Sequence, residues 1–144
     1  MIEIPYEIRI KSTLKSGSVY YFVEESFTSD EPHYFIVISE HSDRDAVVLL
    51  VCSSSQIEKV KNRRRYLPTK TLVEIDPSQY SAFTKNSIID CNQVFEKSID
   101  EIVQKLEQGL LKMKAEMDIS LVEKLRNAVL ESPLIEQRIK KLVK

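Results

Sequence analysis

The chain has 144 residues, 21 basic against 22 acidic, a formal net charge of −1, and 42% hydrophobic and 30% charged residues. That length and balance fit one soluble domain with a single sizeable core and are too apolar for global disorder. Two glycines, Gly17 and Gly109, with no second one near either, exclude a glycine-rich phosphate loop. His33, His41, Cys52 and Cys91 are scattered without zinc-ligand spacing, so neither a metal nor a cofactor is expected. No apolar run reaches the length of a membrane span. The first ten residues resemble neither a signal nor a transit peptide, and cysteines within apolar runs pack as small hydrophobes. A cytoplasmic protein is the expectation.

In chain order, residues 1–10 form a candidate strand that Pro5 confines to a sheet edge. Residues 18–24, 34–39 and 46–52 are aromatic or β-branched runs of strand length, the last two separated by the polar turn Ser42, Asp43, Arg44, Asp45. Their continuous apolarity predicts strands covered on both faces. Ser55 and Glu58 have capping-box spacing and open a short helix with Ile57 and Val60 inward. Residues 72–75 and 87–95 are two further strand candidates.

The period then changes. Ser98 and Glu101 form a second capping box before Ile99, Ile102, Val103 and Leu106, and Gly109 ends that helix. Ser120 and Glu123 form a third, before Val122, Leu125, Val129 and Leu130. Ser132 and Pro133 pair a cap with proline at the first helical position and announce a last helix carrying Ile135, Ile139 and Leu142. Residues 108–118, a stretch containing lysines, mark a candidate boundary before the last two helices. The expected organisation is a barrel-like domain over 1–110 with one inserted helix. A helical extension over 111–144 then packs on the barrel or at a dimer interface.

Charge is local rather than global. Lys59, Lys61, Arg63, Arg64, Arg65 and Lys70 stand against Glu58 alone. Arginines suit phosphate because the guanidinium presents two parallel donors, and Tyr66 adds a stacking face for a base. Dipole complementation at a helix end explains part of the run, but three adjacent arginines exceed it.

The order of segments resembles the MazF/PemK-like toxins of type II toxin–antitoxin systems. Gly17, Ser18, Val19 and Tyr20 are similar to the family's Gly-Asp-Val-Tyr opening. His33 to Ile38 correspond to its Arg-Pro-Val-Leu-Val-Ile strand, and Val51, Cys52 and Ser53 to a strand ending in a hydroxyl residue. Leu72 to Ile75 and Asn86 to Ile89 match its Val-Glu-Ile and Asp-Ser-Val-Ile segments, and Gln93 with Val94 matches a Gln-Ile pair.

The resemblance covers roughly residues 15–108 as an ordering of strands and helices. It implies a β-rich α+β fold, a small SH3-like barrel with a helical C-terminal appendage. It also implies metal-independent cleavage of single-stranded RNA by a homodimer held in check by an antitoxin. The family's catalytic Arg falls on His33, its Ser or Thr on Ser53, and a further Arg on Phe95. The site expectation is therefore His33 and Ser53 as catalytic groups, with Arg63, Arg64, Arg65, Tyr66, Asn92 and Gln93 binding RNA. Two alternatives belong to other classes. One is a non-catalytic RNA- or protein-binding module on the same barrel. The other is an interaction protein whose last two helices clasp a partner through Leu121, Leu125 and Val129 or Ile135 and Ile139.

Overall fold

A computed structural model describes Pro5, Ile8 and residues 15–39 and 47–143. The N-terminal strand expected over 1–10, apart from Pro5 and Ile8, the turn at 42–45 and His41 lie outside the described residues. Seven strands run β1 (Val19–Phe22), β2 (His33–Val37), β3 (Val47–Ser54), β4 (Leu72–Ile75), β5 (Ser87–Asp90), β6 (Phe95–Ser98) and β7 (Leu111–Lys114). The helices are α1 (Ile57–Arg63), α2 (Ile99–Glu107), α3 (Ile119–Leu130) and α4 (Gln137–Val143), with a short 3-10 turn at Thr69–Thr71.

The fold is mixed α+β on one antiparallel sheet of order β4-β5-β3-β2-β1-β7. One edge of β3 pairs with β2, while the other is shared, β6 taking Val47 to Leu50 and β5 taking Ser53 and Ser54. Among the described residues no pairing joins β4 to β7. The sheet is open, and hydrogen bonding does not close the barrel that the resemblance implies.

Continuous apolarity in β1 to β3 conceals a period of two, because both faces of the sheet are buried. Val19, Ile36, Leu49 and Val51 face one core with Val122, Leu125 and Val129 of α3 and Ile139 and Val143 of α4. Tyr20, Phe22, Phe35, Val37, Val48 and Leu50 face a second core with Ile99 and Ile102 of α2. Leu125, Val129 and Ile139 are thus core residues, which removes them from the partner-clasping face that the helical stripes suggested.

Where capping follows the sequence, the geometry is plain. The Ser98 hydroxyl accepts from Glu101 N at 3.0 Å, and α2 ends at Gly109, whose φ of +72° lets Leu110 N reach Lys105 O. Elsewhere tertiary partners take over. Helix α1 has Gln56 at its N-cap with no side-chain cap, and Ser54 rather than Ser55 accepts from Gln56 N. Helix α3 is capped by Asp118, which also receives the Ser120 hydroxyl. Ser132 is fully buried and donates to Asn92 Oδ1 at 2.7 Å, so α4 begins only at Gln137. Both donors of Arg126, Nε and Nη2, then reach the carbonyl of Val143 and fasten α4 to α3.

Two strands correct the sequence reading. The single candidate over 87–95 is β5, a turn and β6. The presumed boundary holds β7, which pairs Leu111 to Lys114 against β1, with Leu111 and Met113 turned to the second core. Gly17, at the head of β1, has φ +100° and a Cβ position 3.1 Å from Met117 O. Its N–H donates to Val37 O and its carbonyl accepts from Met117 N, so it couples β2 to the start of α3 where no side chain fits.

Glu24, just after β1, is buried and receives Lys97 Nζ at 2.8 Å, and Glu101 lies 3.3 Å from the same ammonium. Burial alone would lower the Lys97 pKa, but the hydrogen bond and charge of Glu24, with Glu101 behind it, outweigh it and hold the group above its ordinary value of 10.5. A raised folded-state pKa stabilises the fold below the unfolded value and stops doing so as pH rises through the folded value. The melting temperature of the wild type is therefore expected to fall more steeply above about pH 10.4 than that of Lys97→Met. Parallel curves for the two proteins across that window would show that the pair contributes nothing.

Candidate functional site

Where β2 begins and β3 ends, a cleft of about 790 Å³ opens against α1. It brings together His33, Ser53, Arg63 and Gln93 of the nominated site residues with Lys59 of the basic run, and adds Lys85. Neither lysine makes an ion pair among the described residues, and Arg63 is held only loosely, 3.6 Å from Asp90. The cleft therefore carries unpaired positive charge against Glu31 and an Asp90 already engaged by arginine, a field suited to an anionic ligand.

His33 opens β2. Its Nδ1 lies 3.0 Å from the carbonyl of Glu31 and its ring meets Phe27 edge-on at 5.2 Å. A carbonyl oxygen only accepts, so Nδ1 carries the proton, and in the neutral ring Nε2 keeps its lone pair. Ser53 is 4% exposed and lines the cleft, yet its hydroxyl has no hydrogen-bond partner among the described residues. Although the residue is buried, the hydroxyl oxygen itself reaches solvent at the cleft wall and can bond a ligand there.

The two groups do not share a face. Tyr34 packs on the core beneath α3, and Cys52 on the core beneath α2. Strand alternation then turns Ser53 to the Tyr34 side and His33 to the Cys52 side. The cleft wraps around the strand ends and presents one group from each face, with no hydrogen bond between them among the described residues.

The remaining nominated residues lie elsewhere. Arg64 Nε donates to Asp90 Oδ2 at 2.8 Å and its side chain is only 20% exposed, so it serves as an anchor of α1. Arg65 donates to Asn62 O and stacks 4.6 Å over Tyr66, which is 87% exposed but outside the cleft. Asn92 corrects the expectation of a base-reading amide. It is buried, with Nδ2 donating to Thr71 Oγ1 and Asp90 Oδ1 and Oδ1 accepting from Ser132, which leaves no free edge. Phe95, at a position where the family has Arg, lines the cleft from the second core between Phe27 and Phe35.

Both cysteines are free. Burial, then the charges of Glu24 and Asp90, pushes the Cys52 thiol far above its usual range, so it stays protonated at the cleft wall. Burial, then neighbouring Tyr21, likewise raises the Tyr34 hydroxyl, which donates to Ala82 O at 3.0 Å. Among the described residues no group of three or more His, Cys, Asp or Glu side chains gathers as metal ligands, and no helix is long and apolar enough to cross a membrane. As site residues, sequence reasoning passed over Tyr21, Tyr34 and Lys85, and it counted Lys59 only within the basic run. Tyr21 and Tyr34 lie in different strands and Lys85 precedes β5, so nothing joins them until the register is known.

No protein-family profile and no curated protein sequence matches the chain. Among solved structures it is similar to an endoribonuclease in complex with its cognate antitoxin from a mycobacterial species. The TM-score is 0.53 and the identity 16%, over 81% of this chain and 90% of that one. The likeness is one of fold, and at that level it bears out the toxin-like order of segments.

Proposed function

We propose that the chain is a MazF/PemK-like toxin that cleaves single-stranded RNA without a metal, its open sheet standing in for the SH3-like barrel of that family. The observation that carries this reading is the single cleft holding His33, Ser53, Arg63 and Gln93 beside the unpaired Lys59 and Lys85. Cleavage requires the 2′-oxygen to attack phosphorus as its proton leaves, the phosphorane charge to be met, and the P–O5′ bond to break with a proton delivered to O5′. The free Nε2 of His33 suits the first proton transfer, the imidazolium so formed can return that proton to O5′, and the Ser53 hydroxyl and the Arg63 guanidinium suit the phosphorane oxygens. The products are a 2′,3′-cyclic phosphate and a 5′-hydroxyl.

The neighbour's cognate antitoxin supports an antitoxin partner here as well, and the same reading takes the protein as a cytoplasmic homodimer whose residues 111–144 pack on the sheet or between subunits. A second reading, a binding module without catalysis, is favoured by the opposite faces of His33 and Ser53 and by Phe95 standing where the family has Arg. Incubation of the purified full chain with mixed-sequence single-stranded RNA in EDTA separates the two. Fragments ending in cyclic phosphate are expected, and RNA bound but uncut would establish the module instead.

A further inference from the structure

The cleft does not end at Ser53. The β1–β2 register sets Tyr21 against Tyr34, the β1–β7 register sets Tyr21 against Lys112, and the β2–β3 ladder ends at Phe35 and Cys52, one step short of Tyr34 beside Ser53. Directly paired residues share a face, so Lys112, Tyr21, Tyr34 and Ser53 form one row across four strands. Within the row the Tyr21 and Tyr34 rings lie 4.5 Å apart, and Lys114 Nζ sits 5.2 Å from the Tyr21 ring centre.

Tyr34 is fixed by its bond to Ala82 O and by an edge contact with Phe83 at 5.1 Å, whereas Tyr21 is half-buried, with Tyr34 beside its ring and the Lys114 ammonium over it. Lys112 and Lys114 make no ion pair among the described residues, and Lys85 is equally free at the cleft end of the row. A half-buried aromatic ring on a rigid second ring, with ammonium groups at both ends that make no ion pair among the described residues, fits a stacked base with phosphates on either side.

We propose that this row is a platform for single-stranded RNA leaving the cleft, with one base on Tyr21 and phosphates on Lys112, Lys114 and Lys85. This rests on the reading of the cleft as an RNA site. The ligand is a single strand because a paired base keeps both π-faces inside its own stack. Ser53, Tyr34, Tyr21 and Lys85 line the cleft itself, and Lys112 and Lys114 continue the path beyond it onto β7.

The test is fluorescence anisotropy of the full chain with a labelled single-stranded RNA 12-mer over a range of salt, with the duplex of the same sequence alongside. Tyr21→Ala is expected to weaken single-strand binding roughly tenfold with an unchanged salt slope. Tyr21→Phe, which keeps the ring and the packing, is expected to bind as the wild type does. The double variant Lys112→Gln/Lys114→Gln, on exposed or half-buried positions, is expected to lower the log–log salt slope by about 1.4. Wild-type binding that none of these variants moves overturns the platform and leaves the cleft reading standing. Equal affinity for duplex overturns it too, and a wild type that neither binds nor cuts RNA overturns both.

Discussion

Replacing His33 by alanine is expected to slow RNA cleavage roughly 10²- to 10⁴-fold while single-stranded RNA binding is retained. The expectation follows from the division of labour within the ring. The Glu31 carbonyl holds Nδ1–H, which fixes the tautomer and leaves Nε2 to take the 2′ proton. His33→Gln should be as slow as His33→Ala, since an amide cannot accept and release a proton near neutral pH. Ser53→Ala should cost less, roughly 10²- to 10³-fold, as expected for one lost donor to a developing oxyanion.

Neither variant should unfold the protein. The Ser53 hydroxyl makes no hydrogen bond among the described residues, and there His33 is held by one carbonyl and one ring edge. Single-turnover cleavage with thermal melting of the same samples reads both quantities. If both variants cut at the wild-type rate, His33 and Ser53 are not the reacting groups. If cutting falls only in step with melting temperature, their role is structural.

The strands of the sheet's centre were legible because burial on both faces leaves β1, β2 and β3 as unbroken apolar runs. The same argument fails for β7, where Lys112 and Lys114 alternate with Leu111 and Met113 over too few residues for a period to stand out. Residues 87–95 merged into one strand because Cys91 and Val94 keep the run apolar through a turn that Asp90 and Asn92 make with their own side chains.

For the site, the sequence located the cleft's residues better than it assigned their roles. Arg63, Arg64 and Arg65 are equivalent as letters. Asp90, distant in sequence, takes Arg64, leaves Arg63 at the cleft mouth, and Arg65 turns to Tyr66. Asn92 and Gln93 are neighbours with opposite fates for the same reason, since Thr71 and Ser132 claim the first. Which face of the sheet His33 and Ser53 occupy depends on strand parity, which becomes visible only when register pairs are known.

The largest effect on stability should come from Phe35→Ala. Phe35 is fully buried at the middle of the second core, stacked on Phe22 at 4.2 Å and met by Phe95 edge-on at 5.3 Å, with Phe27 at 6.3 Å. Removing the ring loses its transfer free energy and leaves a cavity that three other rings, each held by its own contacts, cannot fill. The expected cost is about 3–5 kcal/mol, a large fraction of the usual total for a single domain. Urea unfolding should show a lower midpoint with an unchanged slope. The partly exposed Val47→Ala, in the neighbouring strand, should stay within about 0.5 kcal/mol. The damage should also reach the cleft, because Phe27 and Phe95 line it and Phe27 holds the edge of His33. Cleavage by Phe35→Ala should therefore fall at temperatures where the protein is still folded. Phe35→Leu, which refills most of the volume, should restore much of both. A loss of less than about 1 kcal/mol for the alanine variant would mean that the rings collapse freely, and that the second core lacks the rigidity needed to fix His33.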